Sequence, residues 1–501
     1  VAISGTHPGG KCVRFTREDK IMVGIVSYGA YVPIYRLSRE AIGAMWNKGV
    51  GKGERAIANA DEDSITMGVE AVIDCLHGMD RSQVDGLYFA TDSPPYIEKQ
   101  SASIIRAAAD LREDILTFDV SHSLRGAGSA MKAAADAVKA GSAKKVLVAA
   151  SERRIPAPNT EFEVQFGDGA AAFLLGDTDV AASLEGSYHL SSEFLDVWRK
   201  PQDTYVQTTE ERFIRDEGWM KMIPQAVAGL FKKMGMTPKD ITKAAFYAPD
   251  TRTHASIAGA MRLDPKTQVQ NPLLDNVGNT GTALAPMILV AALEDAKPGD
   301  LILFATYGDG ADAFLFKVTD QIEKIRDRRG IKRHVASKMM LPNYGKYVEI
   351  RELMEWESPR RGARRSSLPV LWRERKMIFG LYGQKCRKCG NIQYPRQRIC
   401  IFCQAKDDFD PIRLSDKTGK VFTFSMDQRA QEIVLPKVFT VVDLDGGGRF
   451  YSVMTDRDTT KISVGMSVEM TFRIQMGPSE TLPLEGSGLY NYFWRVRPVR
   501  C

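Results

Sequence analysis

From Met22 onward, short apolar runs alternate with alanine-rich stretches of helical spacing. "ILTFDV" runs into a small polar turn and then into "GAGSAMKAAADAVKAG"; "KVLVAAS" leads to "FGDGAAAFLLG". This alternation over residues 22–318 predicts an α/β layered domain. It also contains an echo. "KAGSAKKVLVAAS" before "FGDGAAAFLLG" is matched later by "AKPGDLILFAT" before "YGDGADAFLF". Each passage reads helix end, buried strand, glycine turn, strand, and the helices before them follow "SHSLRGAG" and "NVGNTGTAL". Two such units predict a duplicated fold with pseudo-twofold symmetry.

The pattern changes after Thr319. Residues 319–353 read as a charged helix and a connection, and residues 357–369, "ESPRRGARRSSLP", have linker composition. Residues 319–379 together form a helical connection and basic linker, whose arginines face solvent or an anionic ligand. Beyond it, "KVFTFSM", "KVFTVVDL", "RFYSVMT", "SVEMTFRI" and "YNYFWRV" are strand-like runs divided by Gly and Asp turns. Five strands over residues 415–501 predict a small β-barrel of the oligonucleotide-binding (OB) type. Residues 1–21 lack clear periodicity and are set aside as an N-terminal extension.

Composition adds two points. A formal charge of +6 on 501 residues is too small to indicate a nucleic-acid partner. No apolar run reaches the roughly 18 residues of a membrane span, so no span is expected. Seven cysteines occur, four of them within residues 386–403. Cys386 and Cys389, then Cys400 and Cys403, form two C-x2-C pairs, the knuckles of a tetrahedral four-thiolate site. Residues 380–414 therefore read as a zinc ribbon, with iron in a rubredoxin-like site or free thiols as the alternatives. With all four positions thiolate, no place is open for water, so the Zn2+ is structural. Free thiols and a metal site point to a reducing cytoplasm.

The segments "DEDSITMGVEA", "YFATDSPPY", "FDVSHSLRGAGSA", "FGDGAAAFLLG", "AFYAPD", "VGNTGTALAP" and "ATYGDGADAF" make residues 22–318 resemble the thiolase superfamily. The nearest branch is that of hydroxymethylglutaryl-CoA synthase and ketoacyl synthase III. Residues 380–500 resemble the zinc-ribbon plus OB-fold (DUF35-type) module that accompanies such enzymes. The resemblance implies a five-layered αβαβα core, a homodimer, and an acyl-CoA substrate bound where the two halves meet. It also implies the site residues. The acyl-accepting cysteine falls on Ser123, and the catalytic histidine on Tyr247 of "FYAPD", with Asp250 at a following asparagine. The glutamate acid/base falls on Asp92, and the asparagine of "GNT" is kept as Asn279.

Three of these four key positions have changed type, which bears on the chemistry. A serine hydroxyl requires an adjacent base that a thiol at a helix N-terminus does not. His122 is next in sequence but points away on an extended strand end. His254 is expected to be a structural or surface histidine, with a displaced base as the alternative. A phenol can donate or remove a proton, so Tyr247 is the candidate acid/base, a packed core tyrosine being the other reading, with Tyr307 and Tyr344 as weaker alternatives. Asp92 is a second acid/base group. Asn279 and the amides at Ser123–Leu124 are candidates to hold a thioester oxygen as an enolate. Asp168 and Asp309, in paired turns, are expected to be structural.

Together these residues suit a non-covalent (retro-)aldol reaction on a 3-hydroxyacyl-CoA, giving a ketone or aldehyde and a shorter acyl-CoA. The alternatives are hydroxymethylglutaryl-CoA-synthase-type condensation or acyl transfer, and a non-catalytic acyl-CoA-binding scaffold for a partner thiolase.

Overall fold

The structure, a computed structural model, describes residues 22–354, 367–430, 433–475 and 491–500. The N-terminal extension and the arginine run of the linker lie outside the described residues. The first half of the core comprises β1 (Gly24–Tyr31), α1 (Ser64–Cys75), β2 (Gly86–Ala90), β3 (Leu116–Val120), α2 (Gly126–Lys139), β4 (Lys145–Glu152) and β5 (Gly169–Gly176). The second comprises β6 (Ala182–Ser191), α3 (Met220–Met234), β7 (Lys243–Phe246), α4 (Thr251–Ala260), α5 (Leu284–Asp295), β8 (Leu301–Tyr307) and β9 (Gly310–Val318).

The sheet order establishes the duplication. The first half runs β3-β2-β4-β5-β1 and the second β7-β8-β9-β6. An isolated bridge from Ala244 to Val269 stands where the second half would place its third strand. In each half the middle strands are parallel and the last is antiparallel. The halves join edge to edge through a short pairing, Gly24 with Ser183 and Ile25 with Ala182.

Covered sheets read as unbroken apolar runs because both faces are buried. In β4, Val146, Val148 and Ala150 face one apolar cluster with α2 and α5, while Leu147 and Ala149 face another with α1. Ten consecutive residues of α5, Leu284–Leu293, are buried, which fits a central-layer helix apolar on all sides. Alanines line the buried face of α2 and let it approach the sheets closely.

Residues 319–353 depart from the single charged helix expected. They form three short helical segments, Asp320–Ile325, Gly330–Ala336 and Tyr344–Ile350. Gly330 takes a left-handed φ of 57°, and Pro342 precedes the Asn343 cap of the last segment. That stretch is also part of the core: Tyr347 and Arg351 are buried, and Arg351 pairs with Asp168.

After the helical segments Leu368–Arg373 and Arg375–Phe379, β10 (Tyr382–Cys386), β11 (Ile392–Gln393) and β12 (Phe409–Arg413) form a small antiparallel sheet. Two knuckles project from it. Each closes on a left-handed residue, Gly390 and Gln404, whose amides bond Cys386 O at 2.8 Å and Cys400 O at 3.0 Å. The Sγ atoms of Cys386, Cys389, Cys400 and Cys403 all lie within 4.8 Å of one another, with two pairs at 3.6 and 3.5 Å. Zn–S bonds of about 2.3 Å in a tetrahedron put sulfurs about 3.8 Å apart, so the four thiolates fit zinc.

The tail forms a closed barrel from β13 (Thr418–Asp427), β14 (Lys437–Leu444), β15 (Arg449–Met454), β16 (Ser467–Ile474) and β17 (Tyr492–Pro498). Around it the order is β13-β14-β15-β17-β16, a Greek-key closure that matches the OB type. No helix among the described residues is long and apolar enough to cross a membrane.

The barrel docks on α1 through buried charge. Arg473 of β16 meets Glu62, reaches Asp456 Oδ2 at 2.5 Å and donates to Tyr31 OH at 3.1 Å. Arg497 of β17 donates to Glu70 Oε2 at 2.6 Å and Glu469 Oε1 at 2.8 Å. Tyr492 donates to Asp63 Oδ2 at 2.6 Å, and Asp63 caps α1. Arg473, Glu62 and Tyr31 are fully buried. Such a cluster holds only when every charge is matched, because removing one partner strands another away from water.

Arg473→Ala is therefore expected to cost about 3–5 kcal/mol in denaturant unfolding, the range for a broken buried pair; a loss below about 1 kcal/mol would refute the junction. For the ribbon, purified protein should hold one zinc per chain. Cys386→Ser should loosen the C-terminal module while the α/β core stays folded. Metal-free, folded wild-type protein would contradict the site.

Candidate active site

In open parallel sheets the functional crevice lies beyond the carboxyl ends of the strands. Five residues meet that description. Asp92 follows β2, Ser123 follows β3, Glu152 ends β4, Tyr247 follows β7 and Tyr307 ends β8. Asn279 enters from the turn that starts α5. Duplication brings these two sets of strand ends together at one cleft.

The two Gly-Asp-Gly turns brace the cleft reciprocally. In the first half, a Cβ on Gly167 would collide with the Val277 carbonyl, so only glycine lets this turn press on the Asn279 loop. Asn279 N donates to Gln165 O at 2.7 Å, and Gly167 N donates to Asn279 O at 3.1 Å. In the second half, a Cβ on Gly308 would lie 2.7 Å from Leu124 N and 2.9 Å from Ser123 Oγ. Each half thus supports the other half's helix start. The two aspartates differ. Asp168 is buried against Arg351 and Ala58 N, and Asp309 is exposed.

At the Ser123 turn, His122 takes a left-handed φ of 72° and is exposed. Ser123 Oγ is buried with no hydrogen-bond partner among the described residues. Its amide, expected to be free for a thioester oxygen, donates to Asp92 Oδ1 at 3.1 Å. The carboxylate one bond-length shorter than glutamate reaches the turn and occupies that amide. Burial raises the Asp92 pKa, opposed by Arg154 and by the His122 and Ser123 amides.

Glu152 stands behind Asp92. It accepts Asp92 N at 2.7 Å and Ser93 Oγ at 2.6 Å. Burial, then the Asp92 charge, pushes its carboxyl up to about 8.

Across the cleft, Asn279 Nδ2 donates to Tyr247 OH at 3.2 Å. The amide has one orientation, because Asn279 Oδ1 already accepts Gly281 N at 2.9 Å and Arg154 Nη2 at 3.3 Å. With its oxygen accepting from Asn279, the Tyr247 hydroxyl keeps its own proton to donate. Burial raises the Tyr247 pKa, countered by Arg154 and the Asn279 bond. Tyr307 stacks on Tyr247 at 5.7 Å, and burial and Asp196 raise its pKa as well.

The remaining candidates stand elsewhere. His254 is buried rather than at the surface, stacked at 4.1 Å on Phe246, whose side of β7 is opposite that of Tyr247. Burial lowers its pKa to about 4. Asp250 is spent as the cap of α4, accepting Thr253 N at 2.8 Å. Tyr344 donates to Glu163 Oε1 at 2.5 Å. Glu152 and Arg154 were missed from sequence. Their signal is "SERR", charge placed at the carboxyl end of an otherwise apolar strand.

Comparisons with known proteins agree with this architecture. Residues 118–193 match the 3-oxoacyl-[acyl-carrier-protein] synthase III family model, and residues 231–316 match its C-terminal counterpart. Residues 374–410 match the ChsH2 rubredoxin-like zinc ribbon domain. Hydroxymethylglutaryl-CoA synthase of Methanopyrus kandleri is 30% identical over 345 residues, 67% of this chain and 98% of that protein. That of Thermococcus sibiricus is 33% identical over 336 residues, 65% of this chain and 93% of that protein. Among solved structures, an HMG-CoA synthase complexed with CoA superposes with a TM-score of 0.61 at 17% identity, covering 69% of this chain and 94% of that one. The 3-oxoacyl-[acyl-carrier-protein] synthase III of Aquifex aeolicus gives 0.54 at 21% identity, covering 59% and 99%. The chain belongs to the hydroxymethylglutaryl-CoA synthase family, with a thiolase-like core joined to a rubredoxin-like zinc ribbon and a β-barrel.

Proposed function

We propose that the protein makes or breaks a carbon–carbon bond in an acyl-CoA by a reversible, non-covalent aldol reaction. One observation carries this reading: Asp92 occupies the Ser123 amide and Ser123 Oγ has no hydrogen-bond partner among the described residues, while Asn279 donates to the Tyr247 hydroxyl. Acyl transfer through serine needs a base beside the hydroxyl and a free amide for the oxyanion. Neither is present at Ser123. The CoA thioester is suggested by the family and by the CoA-bound relative.

In the cleavage direction Tyr247, first ionised by loss of its proton to water, takes the proton of the substrate's 3-hydroxyl. The bond between the second and third carbons breaks, and its electron pair passes to the second carbon and the thioester oxygen as an enolate. A ketone or aldehyde departs. Asp92, protonated, gives its proton to the second carbon, leaving a shorter acyl-CoA. Condensation runs the same steps backward: the carboxylate takes the proton from carbon, and the Tyr247 hydroxyl protonates the new alkoxide.

A homodimer belongs to this reading. Strand β3, which leads to Ser123, is the outer strand of the sheet, is only half-buried, and leaves Leu116 61% exposed. A cytoplasmic setting suits the reduced Cys75 and the four zinc thiols.

The test sets Ser123 against Tyr247 on a panel of 3-hydroxyacyl-CoAs. Ser123→Ala should retain substantial turnover. Tyr247→Phe should lose about 100-fold or more in kcat, the scale for a positioned acid/base group, with KM changing far less because the ring remains. Full activity in Tyr247→Phe would overturn the assignment.

A further inference from the structure

Resting on the aldol reading, we propose that Arg154 is a positioning residue that keeps the Tyr247 hydroxyl ionisable, acting through the side chain of Asn279. Arg154 is 6% exposed, a cation taken almost wholly out of water. Its guanidinium lies 4.0 Å over the Phe166 ring, and its Nη2 donates to Asn279 Oδ1. Space for it is made by Gly281, at a φ of 56°, where a Cβ would stand 2.9 Å from Arg154 Nε. A buried arginine has to be matched by nearby negative charge. Asp92 and Glu152 supply part of that match, since Arg154 lowers the pKa of both.

The Asn279 amide links the cation to the phenol. Arg154 and Gly281 N both donate to Oδ1, drawing electron density toward it and strengthening the Nδ2–H donor that faces Tyr247. A phenolate accepts that hydrogen bond far more strongly than a phenol does. The groups facing Tyr247 are Arg154 from beyond β4, Asn279 before α5, Tyr307 from β8, Asp196 from the segment before α3, and Asp250 at the start of α4. The two carboxylates and burial oppose ionisation. Arg154 supplies the only positive charge in this set, so its loss should make Tyr247 harder to ionise.

Two measurements test this. The first is the pH profile of kcat/KM in the cleavage direction with an active 3-hydroxyacyl-CoA. The limb that requires ionised Tyr247 should move to higher pH in Arg154→Gln, by about one unit or more, a tenfold change at fixed pH. Arg154→Lys, which keeps the charge, should stay near wild type. The second needs no turnover: tyrosinate absorbance is titrated in wild type and in Tyr247→Phe, and the difference isolates Tyr247. The same difference taken in the Arg154→Gln background should titrate at higher pH. Asn279→Leu, which breaks the link by another route, should move it in the same direction. An unmoved tyrosinate difference in Arg154→Gln, or equal displacement by Gln and Lys, would overturn the role of Arg154. A moved difference with full activity in Tyr247→Phe would instead uphold the Arg154–Tyr247 coupling and discard the aldol reading.

Discussion

The structure depends on backbone meeting backbone across the pseudo-twofold axis. Gly167 of the first half presses on the loop that carries Asn279, and Gly308 of the second presses on the turn that carries Ser123. A single Cβ at either place would push apart the two sets of strand ends that form the cleft. The same contacts explain why the Gly-Asp-Gly turn occurs twice. One copy would brace one wall and leave the other to loop flexibility, whereas two copies fix both walls against each other. Sites held in this way on rigid elements keep the geometry that proton transfer needs.

A second constraint joins the barrel to the same cleft. Arg497 reaches Glu70 midway along α1, and Arg473 and Tyr492 reach Glu62 and Asp63 at its head. The next residue, Ser64, donates to Ser93 O at 2.8 Å, and Ser93 donates to Glu152. The barrel is therefore a buttress for the helix behind the carboxyl pair. Cutting it away would also strip partners from buried carboxylates, so truncation would disturb the core together with anything the linker contributes.

Much of the architecture was legible in the sequence because it follows from periodicity. The five barrel runs became five strands, and the repeated strand–turn–strand passages became corresponding halves of one nine-stranded sheet. The four cysteines converged as their spacing required. Asp92 stands against the Ser123 turn and Asn279 against the Tyr247 hydroxyl. What could not be read was how polar groups are shared. That Asp92 covers the Ser123 amide depends on a carboxylate reaching across two strand ends, and that His254 sits under Phe246 depends on which face of β7 α4 covers. Arg154 was invisible for the same reason, since an arginine after a strand reads as surface charge until packing against Phe166 buries it. The segment 319–353 departs from the charged helix and connection expected because Tyr347 and Arg351 turn inward.

The central claim is that carbon–carbon chemistry proceeds here without an acyl-enzyme. Intact-mass analysis of a quenched reaction with 3-hydroxyacyl-CoAs, read alongside the small-molecule products, tests it most directly. The account predicts unmodified protein together with a ketone or aldehyde and a shorter acyl-CoA. A stoichiometric acyl adduct on Ser123 would contradict it.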